Sequence, residues 1–146
     1  ADGVVVTKNI AGVPMLSGAA VYIEAQRGDF HSVANPEVGV KPAKILVQYD
    51  VSEPLNPQKY VVNTLQMSNI ADDMETILPE DNAQPVMTDE EAKDLVLQSL
   101  KAVEHFKPLL GGQNPEGFTL DIEFKVDNSD TGERLIYLKQ ARPYID

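Results

Sequence analysis

Two carboxylates, an amide and a guanidinium stand at alternate positions of two strand-like runs late in the chain. Asp121 and Glu123 lie in Phe118-Thr-Leu-Asp-Ile-Glu-Phe-Lys-Val126, and Gln140 and Arg142 in Arg134-Leu-Ile-Tyr-Leu-Lys-Gln-Ala-Arg-Pro143. Carboxylate and amide oxygens are the hard ligands that Mg²⁺ takes, and a guanidinium matches a phosphate oxygen. The quartet is therefore suited to a metal-bound phosphate chain. Alternation of this kind equally describes a solvated sheet face with an Asp-to-Arg surface pairing, and spacing alone leaves both readings open.

The elements that must position these groups form a hairpin. Phe118, Leu120, Ile122, Phe124 and Val126 alternate with Thr119, Asp121, Glu123 and Lys125, giving one apolar and one polar face at the period of a half-buried strand. The intervening Asp127-Asn-Ser-Asp-Thr-Gly-Glu133 is rich in residues that cap their own backbone or tolerate positive φ, so it reverses the chain. An aromatic pair sets the expected register. With Phe124 opposite Tyr137, Asp121 faces Gln140, Glu123 faces Leu138, Ile122 faces Lys139, Leu120 faces Ala141 and Thr119 faces Arg142. Asp121, Glu123, Gln140 and Arg142 then share a face.

The upstream segments read as scaffold. Gly3-Val-Val-Val-Thr7, Ala19 to Gln26 and Ile45 to Tyr49 are strand-like, and Tyr60 to Thr64 reads as a fourth strand or a helix start. Lys8 to Gly18 reads as a loop, as does Arg27 to Pro42 with a short strand at Phe30 to Val33. Residues 66 to 87 are rich in Asp, Glu, Asn and Pro, a composition that suits a mobile surface loop. Thr88-Asp-Glu-Glu91 is a capping box with acidic residues at the positive end of a helix dipole. From it Ala92, Leu95, Val96, Ser99, Leu100, Val103 and Phe106 recur at helical steps, so the helix should lay one apolar stripe on the hairpin, with Pro108 and Gly111-Gly112 ending it. His105 and His31 lack partners at metal-ligand spacing and read as ordinary histidines. The expectation is an α+β domain: a mostly antiparallel sheet with a long amphipathic helix on one face.

Composition limits the partners. The chain has 146 residues and a net charge of -11, which argues against nucleic acid or an anionic membrane. There is no cysteine, so disulfides and thiolate metal sites are excluded. No apolar run approaches the ~20 residues of a membrane span, and a cytoplasmic location is the default expectation. The chain opens in a strand-like run without a methionine, as a single domain excised from a longer protein would. There is no P-loop and no Gly-x-Gly-x-x-Gly, so a nucleotide would be held by another route.

Asp121-Ile-Glu-Phe124 followed by Leu138-Lys-Gln-Ala-Arg-Pro143 closely resembles the Asp-Ile-Glu-Trp and Gln-Ala-Arg-Pro signature that ends the ATP-grasp nucleotide-binding domain of the phosphoenolpyruvate synthase and pyruvate phosphate dikinase family. Upstream and in the same order, Gly3-Val-Val-Val-Thr-Lys-Asn9 resembles that family's Gly-Val-x-Phe-Thr-Arg-Asn. Ile23-Glu-Ala-Gln-Arg-Gly-Asp29 is similar to its Asn-Ala-Gln-Gly-Glu stretch, and Ala102-Val-Glu-His-Phe106 to its Glu-x-His-Phe/Tyr-Gly helix end.

The resemblance implies the C-terminal subdomain of an ATP-grasp domain, residues 1 to 146. Asp121 and Glu123 would hold Mg²⁺ on the phosphates of ATP, Gln140 and Arg142 would contact phosphate or the metal shell as the catalytic pair, and Asp29 would belong to the nucleotide site. In that family the β-phosphoryl group of ATP passes to a histidine on a separate domain, then to pyruvate or a glucan. The implied partners are ATP, the missing N-terminal subdomain with its phosphate-binding Lys and Arg, and the phosphohistidine domain; by itself the chain should be inactive. The departures are Phe124 for the tryptophan, Arg27 and His31 in the Gly-rich stretch, and Gly111-Gly-Gln-Asn-Pro-Glu-Gly117 lengthening the connection before the hairpin. The alternative is a non-catalytic interaction or ligand-binding module that retains the fold.

Overall fold

The computed structural model describes residues 1–12, 19–27 and 38–144. Six strands form one sheet: β1 (Asp2–Val6), β2 (Ala19–Gln26), β3 (Ala43–Tyr49), β4 (Val61–Gln66), β5 (Leu120–Asn128) and β6 (Arg134–Pro143), with one long helix, α1 (Asp89–Leu110). The strand order is β4-β3-β2-β1-β5-β6, and every neighbouring pair is antiparallel. The fold is thus α+β. The fourth apolar run is a strand, preceded by a 3-10 turn at Pro57–Lys59 that Asn56 caps. The expected strand at Phe30 to Val33 lies outside the described residues.

Alternation decides the faces. Val5, Ile23, Ile45, Leu120, Ile122, Phe124 and Val126 of the sheet meet Ala92, Leu95, Val96 and Leu100 of α1 in one core, with Val103 and Phe106 packed at its margin. The helical stripe and the apolar face of β5 therefore bury each other, as their periods require. The capping box forms as expected: Thr88 Oγ1 accepts from Glu91 N–H at 3.1 Å and Glu91 Oε1 accepts from Thr88 N–H at 3.0 Å. Pro108 does not end the helix. It sits in the last turn, where a missing N–H costs one hydrogen bond, and α1 runs on to Leu110 with Gly111 as its cap.

Residues 66 to 87 are anchored, contrary to the reading of a mobile loop. Ser68, Asn69 and Ile70 are buried. Asn69 Oδ1 accepts from Lys41 N–H at 2.7 Å and its Nδ2 donates to Gly39 O at 2.8 Å, while Ser68 Oγ donates to Gln26 at 2.8 Å. Arg27 donates to the carbonyls of Ile70 and Pro85, and Val86 and Met87 enter the core. Three apolar side chains, Ile70, Val86 and Met87, with buried Ser68 and Asn69, thus outweigh an acidic composition, whose carboxylates remain at the surface.

The hairpin register differs from the expectation. Asp121 faces Arg142, Glu123 faces Gln140, Ile122 faces Ala141, Phe124 faces Leu138 and Lys125 faces Tyr137, with a bulge between Glu123 and Phe124 that leaves Lys139 as the extra residue. The expected register would have placed Lys139 against Ile122 on the core face and Leu138 against Glu123 on the polar face. Apolar residues of β6 fall at Ile136, Leu138 and Ala141, a step of two and then of three. A one-residue bulge is what allows all three to oppose core residues of β5. Tyr137 is consequently turned to the polar face and is 45% exposed.

Gly3 lies where β1 passes beneath the Phe124 ring. A Cβ there would stand 2.0 Å from Glu24 O and 2.9 Å from Phe124 Cε1. Gly3→Ala should therefore lower stability by about 1–3 kcal/mol or more, read as a lower urea midpoint with an unchanged slope; an unaltered midpoint would show that the strand yields there. A second expectation concerns Glu91. Burial pushes its carboxyl up, but hydrogen bonds from the Thr88 N–H and Arg134, with the charge of Arg134, outweigh that and hold it below its ordinary value of 4.5. A depressed folded value stabilises the fold above the unfolded value and loses that contribution as pH falls through the folded one. The stability advantage of wild type over Glu91→Gln should accordingly be present at neutral pH and shrink below 4.5, as denaturant melts across that range would reveal.

Candidate functional site

The quartet assembles on the face of β5 and β6 turned away from α1. In an antiparallel pair directly opposed residues share a face, so Asp121 with Arg142 and Glu123 with Gln140 form two successive cross-strand pairs. The shift of two positions from the expected register at this end preserves the face and changes only the partners. Arg142 Nε and Nη2 donate to Asp121 Oδ2 at 3.0 and 2.9 Å. The Asp121 side chain is 21% exposed and that of Arg142 64%; exposed pairs of this kind contribute about 0.2–1 kcal/mol. Glu123 and Gln140 are exposed.

The Asp-to-Arg surface pairing that spacing allowed is therefore present, and it involves two of the four candidate residues. The pairing does not exclude chemistry, because the same face presents a second carboxylate and an amide alongside it.

The rest of that face comes from the central strands. Val6 opposes both Asp121 and Tyr22, and Val4 opposes both Glu123 and Glu24; Tyr22 in turn opposes Leu46, and Glu24 opposes Lys44. Glu24 is thus a third carboxylate on the face, two strands away from Glu123. The alternation of Tyr22 and Glu24 in β2 was the available signal for these residues, and it is visible only once β1 is known to lie between β2 and β5. Past the end of β1, Lys8 Nζ sits 5.9 Å from the centre of the Tyr144 ring. Asp29 and His31 lie outside the described residues, and His105 is exposed with its ring edge-on to Phe106.

Asp121 and Glu123, two positions apart on one strand, could offer Mg²⁺ no more than an open, partial set of hard oxygen donors. Among the described residues no group of three or more His, Cys, Asp or Glu could enclose a metal ion by itself. An ion held here would complete its octahedron with water and phosphate oxygens, as Mg²⁺ commonly does. A cleft of about 640 Å³ among Gln48, Tyr49, Lys59 and Tyr60 lies by β3 and β4 and is lined by none of the four candidate residues. Compared with protein-family models, with curated proteins and with solved structures, the chain matches none.

Tyr22 links the face to a titration. Its hydroxyl, on a side chain 6% exposed, donates to Glu24 Oε1 at 2.5 Å. Burial first, then this hydrogen bond and the charge of Glu24, push the phenol well above its ordinary 10.0. A raised folded value stabilises the fold below the unfolded value and is lost as pH rises beyond it. Tyr22→Phe should therefore lose less stability than wild type between about pH 9 and about pH 11, measured by denaturant melts; parallel losses would mean that Tyr22 ionises normally.

Proposed function

We propose that this chain is the C-terminal jaw of an ATP-grasp nucleotide-binding domain in a phosphotransferase resembling phosphoenolpyruvate synthase and pyruvate phosphate dikinase, working in the cytoplasm. The observation that carries this reading is the alignment of Asp121 with Arg142 and Glu123 with Gln140 on one sheet face, within motifs that resemble the end of that domain. Asp121 and Glu123 would hold Mg²⁺, which would offset the charge of the ATP phosphates. Arg142 would supply a planar donor to a phosphate oxygen and Gln140 a neutral one. Phosphoryl transfer needs placement and charge neutralisation more than covalent help, and these residues offer both.

The phosphoryl group would pass to a histidine on a separate domain. The opposing jaw, with its Lys and Arg, would come from a segment beyond this chain, so the isolated chain would hold nucleotide weakly and catalyse nothing. The exposed ion pair between Asp121 and Arg142 is the observation that favours the second reading, an interaction module in which the same pair is only structural.

The two readings separate in the longer protein. ATP labelled at the β-phosphoryl group should phosphorylate its histidine domain, and Asp121→Asn should slow labelling about a hundredfold or more. Labelling that survives Asp121→Asn intact would remove Asp121 from the site. Calorimetry on residues 1 to 146 should show no micromolar binding of Mg-ATP; such binding, if abolished by Glu123→Ala, would overturn the half-site reading.

A further inference from the structure

We propose, on the reading of Asp121 and Glu123 as the metal-bearing carboxylates, that Arg142 is a built-in counter-ion that makes the site selective for a metal-polyphosphate complex over a bare divalent ion. Both donor nitrogens of Arg142 converge on a single oxygen, Asp121 Oδ2, at 2.9 and 3.0 Å. A divalent ion ligated by that oxygen claims the same lone pairs, so ion and guanidinium compete for Asp121. The two partners differ in freedom. Asp121 is 21% exposed and lies on β5, hydrogen-bonded between β1 and β6, whereas Arg142 is 64% exposed on the edge strand. The guanidinium is the group that moves.

A bare ion that takes Asp121 Oδ2 displaces Arg142 from its carboxylate and leaves the guanidinium in water. An ion arriving with a polyphosphate displaces it too, but brings phosphate oxygens that accept the same two N–H groups. Ion and phosphate then bind with positive coupling, because each improves the terms for the other. For a chain of net charge -11, which draws in divalent cations indiscriminately, such a counter-ion keeps the carboxylates from being occupied idly.

The test uses Mn²⁺ as the ion and tripolyphosphate as the phosphate chain, with the intact chain and three variants checked for folding by circular dichroism. Bound Mn²⁺ is read from the paramagnetic resonance of the unbound ion and located by broadening of the backbone amides at residues 121 to 123. Arg142→Ala should bind Mn²⁺ alone roughly two- to fivefold more tightly than wild type and bind Mn²⁺ with tripolyphosphate more weakly. The opposite signs are the signature. Lys139→Ala removes the same charge from the bulge beside the site, where the pairing leaves it facing no carboxylate, and should produce less than half the gain for Mn²⁺ alone. Equal gains from Arg142→Ala and Lys139→Ala would reduce the effect to general charge and overturn the proposal. So would Mn²⁺ binding that Asp121→Asn abolishes but Arg142→Ala does not strengthen, or tripolyphosphate binding that Arg142→Ala leaves unchanged; each leaves the metal-site reading standing. Absence of broadening at residues 121 to 123 in every variant would overturn that reading along with the proposal.

Discussion

The insertion of β1 between β2 and β5 makes one sheet out of two pieces. Without it, β2, β3 and β4 form one antiparallel ribbon and the β5–β6 hairpin another, and nothing in the ladder joins them. The junction is made by the first residues of the chain meeting some of the last. The amino terminus donates to Val126 O at 2.9 Å across a sequence separation of 125, and Thr7 and Leu120 exchange bonds through the Thr7 N–H and its hydroxyl. Two details make the insertion possible. Gly3 leaves room for the Phe124 ring, and Val5 fills the core while Val4 and Val6 separate the polar groups of β2 from those of β5. The candidate face, from the separation of Glu24 and Glu123 to the placement of Asp121, depends on this strand.

How much was legible follows from where the periodicity was unbroken. The alternation in β5 and the three- and four-residue steps of α1 specify both faces, and both elements form with the expected residues inside; Thr88 and Glu91 announce the helix start by a purely local mechanism. The register of the hairpin was less legible because the aromatic pair, Phe124 and Tyr137, and the apolar set of β6 favour different pairings. Ile136, Leu138 and Ala141 could not all face a core without a bulge, and the step of three between the last two was the signal. Residues 66 to 87 misled for a related reason. Asp and Glu are frequent there, but Ser68, Asn69, Ile70, Val86 and Met87 set the segment's placement by burial, and a few buried groups count for more than an average over the stretch.

The candidate site was legible as a set and illegible as pairs. Side-chain face depends only on parity, so an error of two positions in register left Asp121, Glu123, Gln140 and Arg142 together. Which carboxylate met the guanidinium required the bulge. That distinction has chemical content, because it assigns the compensated carboxylate to Asp121 and leaves Glu123 opposite a neutral amide. The contributions of the central strands, Tyr22 and Glu24, needed the order of strands in the sheet, a long-range property that no local pattern encodes.

The bulge at Lys139 also bears on how the molecule coexists with its own copies. A sheet that is not closed has two bare edges, and natural proteins blunt them with extra residues, long cations and prolines that disturb a neighbour's ladder. The β6 edge has all three: the bulge, then Lys139 and Arg142, then Pro143. The β4 edge, Val61 to Gln66, has a bulge at Leu65 but no long cation and no proline, and it shows Val61 and Leu65 to solvent at 54% and 40%. The residue that sets the pairing of the polar groups is therefore also a guard against edge-to-edge pairing, and it stands on the side of the sheet that carries the candidate site.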